Sequence, residues 1–359
     1  MRLTIVGASL ALVAVVAYLA SVVFAAPKLP KSPEEKNHVS VVVDEQSRRV
    51  DVSFDGKPFT SYIWPTTLKK PVLYPLRTAN GTVITRGYPL EQRPGERVDH
   101  PHHAGLWFNY EDVNGLDFWN NSDAIKPEQA PKMGTILQRK IVSAKSGAQG
   151  ELDVDTDWVT FDKKVLLNEH THFVFRGGPG LRSVDRITTL TALDSKVNFP
   201  DAKDGMLGLR VIRALEIPSD KAEVFTDASG RATTVAKLDN AGVNGTYLTS
   251  EGKRGDAAWG TRGRWCNLSG VVGTEPVTIT ILDHPSNPGF PTYWHARGYG
   301  LFAANPLGQK IFSNGKEELN FSLAPHASAT FRYRILITSA IATAGSTEAA
   351  FKDFASAYH

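Results

Sequence analysis

Histidine is the one side chain whose charge changes near neutral pH without help from its surroundings. Five of the ten histidines in this 359-residue chain fall in two segments. The first is RPGERVDHPHHAGLWFNYEDVNGLDFWN, residues 93–120, and the second is DHPSNPGFPTYWHARGYGLFAANPLG, residues 283–308. Each contains Asp-His-Pro, as Asp99-His100-Pro101 and Asp283-His284-Pro285. A carboxylate beside an imidazole can fix its tautomer and raise its basicity, so these segments suit acid–base or metal chemistry. His100, His103 and His295 are the candidate proton-transfer groups. A third segment, FPDAKDGMLGLRVIRALE at 199–216, adds Lys203 and Arg210. Either could hold a carboxylate or a hydroxyl-rich ligand, and Lys203 could act as a base if burial lowered its pKa. The competing reading makes the histidines turn formers that bond only local backbone.

No metal or other cofactor is predicted. Were a divalent metal bound, His100, His102, His284 and His295 would be its ligands, since His100 and His102 share one side of an extended segment. No HExxH or regular ligand spacing is present. Trp107, Trp119, Trp294 and Tyr293 flank the histidines. Aromatic faces beside Asp, Arg and His edges suit a sugar ring, whose C–H faces stack while its hydroxyls hydrogen-bond. Buried strand positions would explain the same tryptophans equally well. His170 and His172 alternate with Glu169 on an expected surface strand, and the single cysteine, Cys266, reads as a small buried hydrophobe.

The elements that must position these residues follow a period of two. Val39, Val41 and Val43 alternate with polar residues, as do Val50, Val52 and Phe54 before an Asp55-Gly56 turn. Asn80-Gly81 predicts a hairpin. Four long antiparallel strands are expected over 135–195, with others at 207–217, 273–282, 299–304 and 329–338. Helical spacing is clear only in STEAAFKDFASAY at the end, with Ser346 or Thr347 as N-cap. The pattern predicts an all-β protein: one large antiparallel β-sandwich over 38–340 and a short helix within 341–359.

Residues 1–26, uncharged from residue 3 on, read as a secretory signal or an uncleaved membrane anchor; 27–37 read as a Pro-rich, charged linker. Both readings place the body outside the cytoplasm, periplasmic or secreted, with membrane contact only through 3–26. A net charge of +3, evenly spread, excludes nucleic acid as the expected partner. One cysteine excludes an intrachain disulfide framework. No GxGxxG, Walker A, GxSxG or EF-hand sequence is present.

The order and spacing of DHPHHAGLWFNYEDVNGLDFWN, KDGMLGLR and DHPSNPGFPTYWHARGYGLFAANPLG resemble the exported bacterial proteins called the PmoA family, over roughly residues 40–340. The resemblance does not imply methane oxidation, because the chain has a single apolar segment. It implies a supersandwich similar to galactose mutarotases and a pathway shared with sugar oxidoreductases. It also implies a shared site, which adds Glu96, Asp99, Asn114, Asp117, His284 and Arg297 as substrate-binding candidates beside Trp107, Trp119, Arg210 and Trp294. The expected function is an exported carbohydrate-active enzyme using His acid–base chemistry on a sugar or keto-sugar, by isomerisation, elimination or hydrolysis. His100 or His103 would be the base and His295 the acid. A non-catalytic sugar-binding module and a His-ligated metalloenzyme or oxygenase are the alternatives.

Overall fold

The computed structural model describes residues 38–358, so the expected signal or anchor (1–26) and the linker (27–37) lie outside the described residues. Among the described residues no helix is long and apolar enough to cross a membrane. Sixteen strands form two eight-stranded antiparallel sheets. In spatial order the first contains Val39–Asp44, Arg49–Phe54, Lys57–Ile63, Val72–Leu73, Leu106–Tyr110, Gly205–Arg210, Leu301–Asn305 and Tyr293–Ala296. The second contains Thr246–Thr249, Trp265–Val272, Glu275–Asp283, Ser328–Thr338, Leu181–Ala192, Val165–Gly178, Gly150–Val159 and Thr135–Lys145.

The sheets pack face to face through alternate residues. Val50, Val52 and Phe54 point inward from one strand, and ring contacts such as Phe59–Phe175, Tyr62–Phe173 and Phe108–Trp158 cross the interface. Each such side chain removed from water contributes about 1.5–3 kcal/mol. The expected all-β sandwich is therefore observed, and the strands of 135–195 fall where the alternation placed them. Glu169 is a correction. It lies in the inter-sheet core, bonded to Arg186 at 2.7 Å and to the Trp158 indole at 2.7 Å, because its neighbours His170 and His172 take the outer face.

Three further expectations change. The 207–217 strand ends at Arg210, and a short 3-10 turn, Arg213–Leu215, follows. Asn80-Gly81 does make a turn, but the hairpin shrinks to one bridge between Arg77 and Val83. Pro71 and Pro75 deny the preceding segment ladder donors. The terminal helix spans Ala344–Ala355 and its N-cap is Thr343. Ser346 is instead the third helical residue, returning a hydrogen bond to Thr343 in a capping box.

Candidate active site

The site lies on the outer face of the first sheet, and the pleat decides which residues reach it. In Leu106–Tyr110, residues Leu106, Phe108 and Tyr110 enter the inter-sheet core and Trp107 faces outward. In Tyr293–Ala296, Trp294 and Ala296 face the core and His295 faces out. Direct strand pairings align Trp107, Gly208, Ala303 and His295 in one row across that face. Gly208 must be glycine, because a Cβ there would stand 2.4 Å from the Trp107 indole.

Above this row is an open cavity of about 880 Å³, within the size range of small-molecule sites. The three segments singled out in the sequence meet there, contributing Asp99, His100, His102, His103 and Trp119, then Lys203 and Asp204, then His295, Arg297 and Tyr299. Segment 217–223 and residues Asp256 and Trp259 complete the wall.

The DHPHH segment is a turn, so its imidazoles do not alternate. His100 has a φ of 44° and the His103 N–H donates to the His100 carbonyl at 2.9 Å. The rings cluster instead: His100 stacks between Tyr299, at 5.2 Å, and His103, at 4.8 Å, and His103 stacks on Trp107 at 5.2 Å. Arg86, fully buried, holds the turn by donating to the carbonyls of His100 and His103 at 3.0 and 3.1 Å and to Asp99. Asp99 also accepts from Arg210 at 2.7 Å and lies 2.9 Å from His100 Nδ1. Burial alone would raise the Asp99 carboxyl. The His100 hydrogen bond and the Arg210 and Arg86 charges outweigh burial and hold it far below the usual carboxylate range.

A second Asp–His pair lies in the wall of the same cavity. His295 is buried, and its Nδ1 stands 3.2 Å from Asp204 Oδ1. Burial lowers the His295 pKa; Asp204 opposes this without reversing it, so neutral imidazole is favoured. Burial would raise Asp204, but His295 and Lys203 overcome it and keep the carboxyl ionised.

Other expected roles change. His103 accepts a hydrogen bond from Arg210 at 3.1 Å through Nδ1, since guanidinium can only donate, so its proton sits on Nε2. Burial pushes its pKa well down. It is a fixed neutral ring that orients Arg210, and its accepting nitrogen is already occupied. Lys203 is in the wall but its side chain is half-exposed, 3.5 Å from Asp204, without the burial a lysine base requires. Arg210 lies wholly buried behind Asp99 and His103.

Besides Arg210, six expected binding residues lie outside the cavity wall. Glu96 is buried and accepts the Gly87 N–H at 2.7 Å, securing a neighbouring loop. Trp294 is turned into the core by the pleat and Trp107, though outward, is covered by His103 and Trp119, so both are fully buried and cannot stack on a ligand. Asn114 occupies a left-handed turn and accepts from the Asn198 N–H. Asp117 accepts from Asn120 N–H at 2.8 Å. His284 lies on the other sheet, its Nε2 2.8 Å from the Ala357 carbonyl and its ring against Phe354. The metal set His100, His102, His284, His295 is therefore not assembled, and no group of three potential ligands suited to a metal is found among the described residues.

Several residues had no sequence signal. Arg86 stands alone in TVITRGYPL. Lys70 is buried over Trp107 and donates to the His102 carbonyl at 2.8 Å; burial pushes its ammonium down to about 7. Trp259 comes from a distant turn. Tyr299, two residues beyond Arg297, was the one within reach of motif reasoning.

The chain matches, over residues 49–352, a family described as one of unknown function, DUF6807. It belongs to that family. The match carries no methane-oxygenase description, so the PmoA label finds no support. No curated protein matches the sequence. Among solved structures the chain is similar to a galactose mutarotase-like protein from Clostridium acetobutylicum, with a TM-score of 0.39 and 10% identity, covering 83% of this chain and 98% of that one. It is also similar to a candidate aldose 1-epimerase from Escherichia coli K12, with a TM-score of 0.35 and 8% identity, covering 83% and 98%.

Proposed function

We propose that the protein is an exported carbohydrate-active enzyme that moves a proton on a sugar or keto-sugar, next to a carbonyl or at the anomeric carbon. The observation that carries this reading is the pair of Asp–His units, Asp99–His100 and Asp204–His295, in the wall of one 880 Å³ polar cavity. The Asp99 carboxylate on His100 Nδ1 favours the tautomer that leaves Nε2 free to exchange a proton with a ligand. Asp204, 3.2 Å from His295 Nδ1 and not hydrogen-bonded to it, would do the same as the pair tightens around a ligand. His295, kept neutral by burial, suits the base. His100, 42% exposed, suits proton return. This reverses the sense expected from the sequence. The Lys203 ammonium would hold the oxygen on which negative charge develops. Trp259, which borders the cavity and is 40% exposed, replaces Trp107 and Trp294 as the ring platform, while Tyr299 is already covered by His100, Arg210 and Arg297.

The test is a panel of aldoses, ketoses, uronic acids and keto-sugars incubated in D2O, with exchange or conversion followed by proton NMR. His295→Asn and His100→Asn should each lower the rate of the responsive sugar by at least about 100-fold, the scale of general acid–base catalysis, with an unchanged thermal melt. Wild-type rates in both variants would refute the assignment. A sugar-binding module would instead bind the ligand without turnover.

A further inference from the structure

The cavity wall carries one guanidinium without a carboxylate. Arg97 is bonded to Glu216 at 2.7 Å and lies 2.9 Å from Glu223; Arg86 and Arg210, behind the wall, share Asp99. Lys203 stands 3.5 Å from Asp204. Arg297 makes no ion pair with any described residue. Its guanidinium instead lies over two rings, 5.4 Å from Trp259 and 5.6 Å from Tyr299. Asp256, in the same wall, makes no ion pair with it.

Aromatic stacking holds a guanidinium by its faces and leaves its N–H edges for a ligand. A planar fork held in this way is preorganised for a carboxylate, which it can bind through two parallel charge-assisted hydrogen bonds. A dianionic phosphate would suit the site less well, because Asp204, Glu223 and Asp256 share the wall. Lys221, in the same wall, also makes no ion pair with a described residue, but it is exposed and offers a point charge, so the planar fork that matches a carboxylate is that of Arg297.

We infer that the ligand is an acidic sugar, a uronic or aldonic acid, whose carboxylate docks on Arg297. This rests on the carbohydrate reading above and narrows its substrate class. The rings that hold Arg297 also border the space the sugar ring would fill, so the carboxylate would anchor one end near His295, two residues away along the same strand end.

Calorimetric titration of the folded protein with glucuronate and galacturonate, against glucose and galactose, tests this. The uronate should bind at least about 10-fold more tightly than its neutral parent, the scale of one charge-assisted pair. Arg297→Gln should abolish that preference and Arg297→Lys should retain part of it, with melts confirming that both variants fold. Equal binding of acidic and neutral sugars by the wild type would overturn the inference and leave the carbohydrate reading standing. A preference that survives Arg297→Gln would overturn the role of Arg297. Failure of acidic and neutral sugars alike to bind would count against both.

Discussion

At the scale of single residues, burial and one carboxylate set the behaviour of His295. Its folded pKa lies below the ordinary value, so the unfolded chain takes up a proton as pH falls through about 6.5 while the folded chain does not. His295 therefore removes stability toward acid. His295→Gln should gain on the wild type in thermal melts as pH falls from about 7 to 5. Ring NMR should show His295 protonating below the ordinary range, and Asp204→Asn should move that transition lower still, because Asp204 opposes the effect of burial. An upward move would show that the carboxylate does not face the imidazole. His284 offers the contrast: it shares the Asp-His-Pro sequence but bonds Ala357 and Ser286 on the other sheet. His284→Ala should lower stability by about 1–3 kcal/mol, the cost of stranding a buried partner, and leave ligand titration unchanged.

At the scale of elements, the strand pleat sorted the aromatic candidates. Trp294 and His295 are adjacent in the sequence, yet a period of two sends Trp294 inward and His295 outward. Trp107 faces outward but is covered by His103 and by the edge of Trp119. The strand Gly205–Arg210 makes this possible, since Gly208 leaves the space that the Trp107 indole occupies. Gly208→Ala should displace Trp107 and, through it, the His103 stack. The expected cost is about 1–3 kcal/mol, as for other overpacked sites, with altered His103 ring resonances. A variant with an unchanged melt would show that the indole can move freely.

At the scale of the whole molecule, the end of the chain is fastened by one buried carboxylate. Asp185, at 0% exposure, accepts from Arg334 at 2.6 and 2.9 Å, from Arg176 at 2.5 Å and from the Tyr358 hydroxyl at 2.6 Å. It thus joins three strands of the second sheet, Leu181–Ala192, Ser328–Thr338 and Val165–Gly178, to the segment that follows the terminal helix. Phe351 and Phe354 cover Trp265 and Leu282 from that helix. Asp185→Ala removes both bonds from Arg334 to Asp185, leaving it the exposed Asp353, and should cost about 1–3 kcal/mol. Hydrogen exchange should rise first in Ala344–Ala355. Uniform exchange across both sheets would show that the helix is not held separately by this contact.

The sequence by itself determined the β architecture, the four long strands of 135–195, the terminal helix and the three segments that meet at the cavity. These depend on local periodicity and on residue type, both of which a linear chain displays. Only the tertiary structure decided which members of those segments face the cavity. A one-residue step along a strand reverses a side chain, and this separated Trp294 from His295. A turn brought together His100, His102 and His103, which an extended segment would have divided. Arg86 and Lys70 were invisible because a charged residue shows its role only through what surrounds it once buried. His284 and His100 have the same local sequence and opposite fates, because sheet pairing over long separations sets what each imidazole meets.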